Sequence, residues 1–222
     1  MKNLLIKELR LSAIPLTYIF LTFALMTFIP GYPILCGAFF FCLGVFQSYQ
    51  NSREANDILY SVLLPVSKRD VVKGKYLAAV VLQMVAFLLC AACTIVRMVL
   101  LSDAAVYKAN ALMAANLVYL AFVLLIFAAF NFFFIGGFFK TSYGVGKPFI
   151  IFIVVNFVVI GIAEALHHLP GLGWTNVLGF SNTGVQLMIT GHGKPDSCMQ
   201  KNEIRTLSNT TLKKKKRRKE KK

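Results

Sequence analysis

Few side chains in this 222-residue sequence have the types and spacing that enzymatic chemistry needs. Cys90-Ala-Ala-Cys93 has the spacing of a redox or metal pair, but it lies in an apolar run without a second pair or a nearby histidine. Glu164, followed by His167 and His168, lacks the His-Glu-x-x-His order of a zinc protease. The sequence therefore predicts no catalytic pair, metal site or cofactor, and we interpret the cysteines as small residues that let helices approach closely.

A phosphate-binding loop is also not predicted. The nearest string is Gly144-Val-Gly146-Lys147-Pro148, in which proline occupies the position of the hydroxyl that would bind Mg²⁺. The earlier glycine of the motif is missing as well. We therefore do not expect this chain to hydrolyse ATP.

The segment from Asn51 to Leu77 combines charges, helix caps and an apolar stripe. We predict that Asn51 caps a short helix, that Glu54 reaches back to it, and that Pro65 ends the helix. The stripe consists of Ala55, Ile58, Leu59 and Val62. Such a stripe suits docking into the groove of a partner. A purely structural interpretation remains open, because any loop between helices needs caps and charges.

A second capping box, Ser67-Lys-Arg-Asp70, follows the proline and opens a helix that continues into an apolar run. Four long stretches of the chain have no Lys, Arg, Asp or Glu, and the first of them, from Arg10 to Arg53, contains a turn with two prolines and a glycine. About 20 apolar residues cross a bilayer. We predict an all-α polytopic membrane protein of five to six transmembrane helices, with spans at about 13–29, 33–50, 75–100, 111–139 and 148–165.

Basic residues predict the orientation of these spans. With the N-terminus inside, the inner segments hold ten lysines and arginines, against Arg97 and Lys108 near the outer ends. The N-terminus is therefore predicted to be cytoplasmic. Residues 1–11 have helical apolar spacing and a basic face, which indicates a short amphipathic helix on the inner surface or a cytoplasmic extension of the first span.

One string of the loop resembles a known family. Asn56-Asp57-Ile58, followed by Leu64-Pro65-Val66-Ser67-Lys68-Arg69-Asp70-Val71-Val72-Lys73-Gly74-Lys75-Tyr76-Leu77, resembles the inner loop of ABC-2-type transporter permeases. The small bacterial branch linked to peptide, bacteriocin and antimicrobial-peptide export is the most similar, over about residues 1–185. The resemblance implies a six-helix transmembrane domain in the bacterial plasma membrane that forms a homo- or heterodimer with another permease.

The resemblance also implies the activity and a site. The chain would export a peptide, lipid-like or drug-like substrate with ATP hydrolysed by a separate ABC ATPase subunit. The loop, together with the N-terminal helix, would contact that ATPase. The coupling residues expected on this basis are Glu54, Asp57, Leu64, Pro65, Ser67, Lys68, Arg69, Asp70, Lys75 and Tyr76.

The C-terminal end departs from the family pattern. Residues 1–189 form the expected transmembrane domain, but 171–189 are at most a degenerate sixth span, and 190–222 form a basic, disordered tail. Three interpretations remain: a frame-shifted or truncated replacement of the sixth helix, a short or re-entrant sixth segment, or an extension that binds anionic lipid or nucleic acid. Nucleic acid is disfavoured because no aromatic residue follows Phe180.

Polar side chains within the spans are candidates for a substrate pathway, although each could equally form an interhelical hydrogen bond. They are Gln83, Asn116, Asn131 and Asn156. Arg97 and Glu164 lie near the outer ends of their spans, where we expect snorkelling or a surface ion pair.

Two other classes of function stay open beside the exporter. A non-transporting membrane partner, such as an immunity-type protein or a degenerate permease, would explain the loss of the sixth helix. A secondary transporter or membrane enzyme is the third class. The capped loop with its apolar stripe favours the exporter permease.

Overall fold

The computed structural model describes residues 2–12, 15–57, 60, 67–101, 104–108, 110, 112–141, 144–166 and 168–169. All regular elements in these ranges are helical, and no strand occurs among them. The predicted all-α class is therefore confirmed. The predicted sixth segment 171–189, the tail 190–222, and Leu64 and Pro65 lie outside the described residues.

The N-terminal part of the chain consists of two helical pieces that point in different directions. Helix α1 (Lys2–Lys7) continues into a π-helical turn (Glu8–Ser12), and α2 (Pro15–Ile19) continues into a 3₁₀ helix (Phe20–Phe28). The pieces Leu4–Arg10 and Pro15–Phe28 are bent by 82° at their break. Proline suits the first turn of α2, because its missing N–H would have no intrahelical acceptor there. The N-terminal helix therefore does not continue in the direction of the first predicted span.

Helix α3 (Cys36–Glu54) follows a turn in which Gly31 has a positive φ of 75°. The predicted helix cap at Asn51 is wrong, because α3 continues through this position to Glu54. The helix ends where Asn56 adopts a left-handed backbone (φ 51°), a conformation that asparagine tolerates. Glu54 instead accepts a hydrogen bond from Gln50 Nε2, at 3.1 Å, one turn earlier.

Helix α4 (Lys68–Leu100) is a 33-residue helix that begins at the predicted capping box. Ser67 Oγ accepts a hydrogen bond from the backbone N–H of Asp70 at 3.2 Å, which confirms Ser67 as the N-cap. The charged first turns of this helix and its apolar remainder therefore form one continuous element.

Four helices and a π-helical segment complete the described fold. They are α5 (Ala105–Lys108), α6 (Leu117–Ala129), the π-helical segment Phe130–Ile135, α7 (Gly136–Lys140) and α8 (Gly146–Leu166). Segments α6 to α7 form one helical stretch, Leu117–Lys140, which corresponds to the fourth predicted span, and α8 corresponds to the fifth.

Three helices among the described residues are long and apolar enough to cross a membrane: Arg69–Leu100, Leu117–Lys140 and Gly146–Leu166. The number is four if the bent pair Leu4–Arg10 and Pro15–Phe28 forms one broken span. Helix α3 has 19 residues, but its C-terminal third is polar. The prediction of a polytopic helical membrane protein is confirmed.

Aromatic rings form much of the core between the helices. The rings of Phe46 and Phe149 stack with centroids 3.8 Å apart, and Phe134 contacts both edge-on. The opposite face of α8 exposes Ile150, Val154 and Phe157. A helix that is apolar all round suits a lipid environment, since one face packs on its neighbours and the other meets hydrocarbon.

Candidate functional site

Four charged side chains from distant parts of the sequence form one ionic cluster, which consists of Lys7, Glu8, Asp57 and Lys75. Lys75 Nζ lies 2.9 Å from Glu8 Oε2 and 2.7 Å from Asp57 Oδ2. Lys7 Nζ lies 2.5 Å from Asp57 Oδ1 and 3.5 Å from Glu8 Oε1. Each carboxylate therefore contacts both ammonium groups.

The cluster is buried and electrically balanced. The side chains of Glu8 and Lys75 are 3% and 4% exposed, whereas Lys7 and Asp57 lie at its partly exposed edge. Two positive and two negative charges cancel. Balance is necessary here, because removing one member of a buried pair leaves a charge that neither water nor protein compensates.

Hydrogen bonds from α3 orient the cluster. Ser52 Oγ lies 2.6 Å from Lys75 Nζ and 3.2 Å from Asp57 Oδ2. One turn earlier, Tyr49 donates its hydroxyl proton to the backbone carbonyl of Lys75 at 3.2 Å. The lysine ammonium thus has three oxygen acceptors, which equals its number of protons.

Close packing brings the N-terminal helix to the start of α4. Gly74 precedes the cluster lysine, and a Cβ atom at this position would lie only 2.8 Å from Leu4 Cδ2. A small residue at position 74 therefore leaves room for Leu4 where α1 packs against α4. The small residue at position 74 and the ion pair between Glu8 and Lys75 favour the same packing of α1 against α4.

The electrostatic environment lowers the pKa of Asp57. Partial burial by itself would raise it, but the hydrogen bonds from Lys7 and Lys75, with their positive charges, outweigh burial and lower the pKa of this carboxyl to about 2. Asp57 is therefore ionised at physiological pH.

A small pocket adjoins the cluster between α3 and α4. Glu8, Ser52 and Lys75 form its polar side, and Val45, Ala78 and Leu82 belong to its apolar side. The cluster thus stands where a polar surface gives way to the apolar interior.

Most of the predicted coupling residues either belong to the cluster or are exposed. Asp57 and Lys75 contact each other within the cluster, while Glu54, Ser67, Arg69 and Tyr76 are exposed. Asp70 is half-buried in the first turn of α4. Lys68 is the first residue of α4, and its side chain lies outside the described part.

Sequence reasoning missed three residues that the fold brings to this site: Lys7, Glu8 and Ser52. A signal for one of them existed, because Glu8 is the only acid before Glu54. A single carboxylate in a basic segment often has a cationic partner. Ser52 carried no signal, since its role depends on the packing of α3 against α4.

The polar residues predicted for a pathway do not form one continuous row of contacts. Asn131 lies in the π-helical segment, and its Nδ2 donates a hydrogen bond to Oε1 of Gln83 in α4 at 2.8 Å. Asn116 is the N-cap of α6, and its Oδ1 accepts from the Tyr119 N–H at 3.0 Å. Asn156 is buried, and both of its side-chain polar atoms have no hydrogen-bond partner.

The expectation that Arg97 snorkels or pairs with Glu164 at the surface is wrong. Arg97 is 1% exposed, and its Nη1 donates to the backbone carbonyl of Thr27. Glu164 accepts instead from the Met113 N–H at 2.9 Å. Packing of the 3₁₀ helix against α4 covers the guanidinium, which a single hydropathy profile does not reveal.

No group of histidine, cysteine, aspartate and glutamate side chains with the arrangement of a metal site occurs among the described residues. The four cysteines within that part of the chain, Cys36, Cys42, Cys90 and Cys93, are free thiols. The charged cluster is thus the most elaborate polar arrangement in the described fold.

The fold, with its long apolar helices, defines a polytopic α-helical membrane protein. Comparison with family models matches residues 3–191 to the ABC-2 family transporter proteins. The chain therefore belongs to this family and is an ABC permease subunit, a membership that implies a membrane environment and an ABC ATPase as partner. No curated protein and no solved structure matches the chain.

Proposed function

We propose that this permease subunit exports a peptide, lipid-like or drug-like substrate with ATP hydrolysed by a separate ATPase subunit. Residues 1–189 would form its transmembrane domain and 190–222 a basic tail. The extent of the family match, residues 3–191, supports the first range. The excess of basic residues on one side supports a cytoplasmic N-terminus in a bacterial plasma membrane. The chain would act as a homo- or heterodimer with another permease.

The ionic cluster is the observation on which the site proposal rests. It joins the N-terminal helix, the end of α3 and the first turns of α4 through buried and partly buried contacts of 2.5 to 2.9 Å. A segment that only had to connect two spans would not need buried charges, which are costly unless fully paired. We propose that the cluster holds these segments in one position for a partner.

Exposed charges on the same segments would make the contact with the ATPase. Arg53, Glu54, Arg69 and Lys73 are exposed, whereas Asp57 and Lys75 face each other. In this proposal, the exposed group binds the partner, and the buried pair positions the exposed group. Substitution of the exposed residues should then change ATPase binding, whereas substitution of the buried pair should change the position of the exposed residues.

The test first looks for a gene for an ABC ATPase beside the gene for this chain, and then measures co-purification of that ATPase with the permease. Arg69→Glu combined with Lys73→Glu should lower the amount of bound ATPase at least tenfold, since reversed charges face the partner. Lys140→Glu is the matched control: Lys140 is an exposed basic residue at the end of α7, outside the loop. The melting temperature of the double variant should equal that of the unmodified chain.

A variant in which residues 54–75 are replaced by a linker of equal length tests whether this loop is needed for ATPase binding. If the ATPase still bound this variant as tightly, the coupling proposal would be overturned. If the unmodified chain bound the ATPase but substrate did not stimulate ATP hydrolysis, the result would favour a non-transporting partner or a degenerate permease. Absence of any ATPase gene nearby would count against the exporter.

A further inference from the structure

Arg97 is a buried cation whose Nε and Nη2 donors have no hydrogen-bond partner. It projects from the last turns of α4, and its side chain is 1% exposed. Nη1 donates to the carbonyl of Thr27, and the guanidinium carbon lies 4.3 Å from the centre of the Tyr107 ring. The ring is held in turn, because Tyr107 donates its hydroxyl proton to the carbonyl of Phe28 at 2.8 Å.

The unused donors lie on one edge of the guanidinium. Nε and Nη2 have no hydrogen-bond partner, although both are buried. In a guanidinium, the Nε–H and one Nη2–H point in parallel on the side away from the Cδ atom. This pair of donors matches the two oxygens of a carboxylate or phosphate, and bidentate pairing of this kind is the strongest that arginine makes.

The charge of Arg97 is compensated only in part by the described residues. The two carbonyls at the end of the 3₁₀ helix and the face of the Tyr107 ring are electronegative, which offsets some of the charge. No ion pair to Arg97 occurs within the described ranges, where Glu8 and Asp57 contact lysines and Glu164 accepts from Met113. A buried charge without a counter-ion is costly, and in a membrane protein it marks a functional position.

We infer that the Nε/Nη2 edge of Arg97 binds an oxyanion, a carboxylate or a phosphate group. One interaction then supplies the missing counter-charge and satisfies both orphaned donors. The orientation of the guanidinium by Thr27 and Tyr107 precedes binding, so little side-chain entropy is lost when the anion arrives. The ligand is the anionic group of a lipid of the surrounding leaflet or of a soluble molecule.

An anion-binding Arg97 also restricts the class of substrate, and this step alone rests on the proposed function. If the ligand is the exported molecule, that molecule carries a carboxylate or phosphate. An acidic peptide or an anionic lipid meets the requirement, whereas a purely cationic drug does not. Binding to Arg97 itself does not require the ATPase.

The test measures binding to the purified full chain in dodecyl maltoside, a detergent without charged groups. The probes are inorganic phosphate, acetate and phosphatidylglycerol, each compared with chloride at equal ionic strength. We expect a saturable rise in melting temperature with at least one probe. Stabilisation by phosphatidylglycerol alone assigns a lipid headgroup, whereas stabilisation by phosphate or acetate assigns a soluble oxyanion.

Three variants decide whether Arg97 is the site. Arg97→Lys keeps the charge but loses the planar pair of donors, so it should weaken binding at least tenfold. Arg97→Gln should abolish the binding, and Lys140→Gln, which removes an exposed charge far along the chain, should leave it unchanged. If Arg97→Gln fails to fold, Arg97→Lys still provides the comparison.

Several results would overturn the inference. These are no stabilisation by any probe and equal affinity of Arg97→Lys. A third is found with Asp103, the acidic residue nearest to Arg97 in the sequence: Asp103→Asn destabilises the chain as much as Arg97→Gln, and the double variant loses no further stability. The last result would assign the counter-ion to the chain itself. Because all readouts use the isolated chain, this failure would leave ATPase co-purification, and hence the proposed function, unaffected.

Discussion

Lys75 illustrates how a single side chain can be indispensable to a fold without being available to a partner. Its ammonium group has Glu8, Ser52 and Asp57 as acceptors, and it is almost fully buried. Loss of the ammonium would leave Glu8 without its main partner. The cost of a broken buried pair exceeds the value of the pair itself.

We expect Lys75→Met to destabilise the chain by about 3–5 kcal/mol, since it leaves the buried Glu8 carboxylate with only its longer contact, of 3.5 Å, to Lys7. The measurement is the melting temperature in detergent. Lys73→Met, two residues away and exposed, should change the stability by less than about 0.5 kcal/mol. Glu8→Gln added to Lys75→Met should restore part of the loss, and failure of this rescue would mean that the charge balance is not the reason.

The pKa of Asp57 predicts a pH dependence. The pKa is lowered to about 2 in the folded chain from an ordinary value of 3.8. The stability that the ionised Asp57 carboxylate contributes is therefore fully present above pH 3.8. It is lost as the pH falls through about 2. Asp57→Asn should remove this part of the dependence, which melting curves between pH 2 and 6 would measure. An unchanged acid limb in Asp57→Asn would contradict the assignment.

At the level of elements, the N-terminal helix depends on the shape of α4. Leu4 lies where a side chain at position 74 would project. The first contact, with Leu4 Cδ2 at 2.8 Å, is the end of a flexible side chain, so a single methyl group can be accommodated by rotation. A larger group cannot be accommodated without moving the helix.

We therefore expect Gly74→Ala to be tolerated and Gly74→Leu to displace α1 and expose Lys7 and Arg10 to trypsin. The rate of N-terminal cleavage measures the displacement. Leu4→Ala should reduce the effect of Gly74→Leu, because it empties the contested space. Equal cleavage of all three variants would show that α1 does not depend on this contact.

Asn116 offers a second test at the level of elements, because two roles predict different outcomes. As the N-cap of α6, it should be replaceable by Ser, whereas Asn116→Ala should cost about 1 kcal/mol. Thermal unfolding of the two variants measures this. If Asn116 instead contacts substrate, Asn116→Ser would preserve stability but lose transport in vesicles that contain the ATPase.

For the whole molecule, the distribution of basic residues predicts which ends of the helices face the cytoplasm. In a variant without native cysteines, Glu54→Cys should resist a membrane-impermeant maleimide on intact cells, and Val106→Cys should react with it. Both positions are exposed, so accessibility within the protein does not decide the result. Reversed labelling would invert the predicted topology and would remove the cluster from the ATPase side.

The sequence by itself determined the class of the protein and its helices. Apolar runs longer than a soluble helix needs, a proline-glycine turn and the Ser67 capping box act locally, so their consequences can be read from neighbouring residues. The loop motif likewise indicated the permease family, which the family match confirms.

Only the tertiary structure decided which polar groups meet. Lys75 lies 67 residues from Glu8, and Arg97 lies 70 from Thr27, so neither contact has a local signal. The continuation of α3 through Asn51 was equally hidden, because Ser52 accepts a hydrogen bond from Lys75 only when α4 packs beside α3. In an apolar environment a polar group must find a partner wherever the fold provides one, and that position depends on how the helices pack.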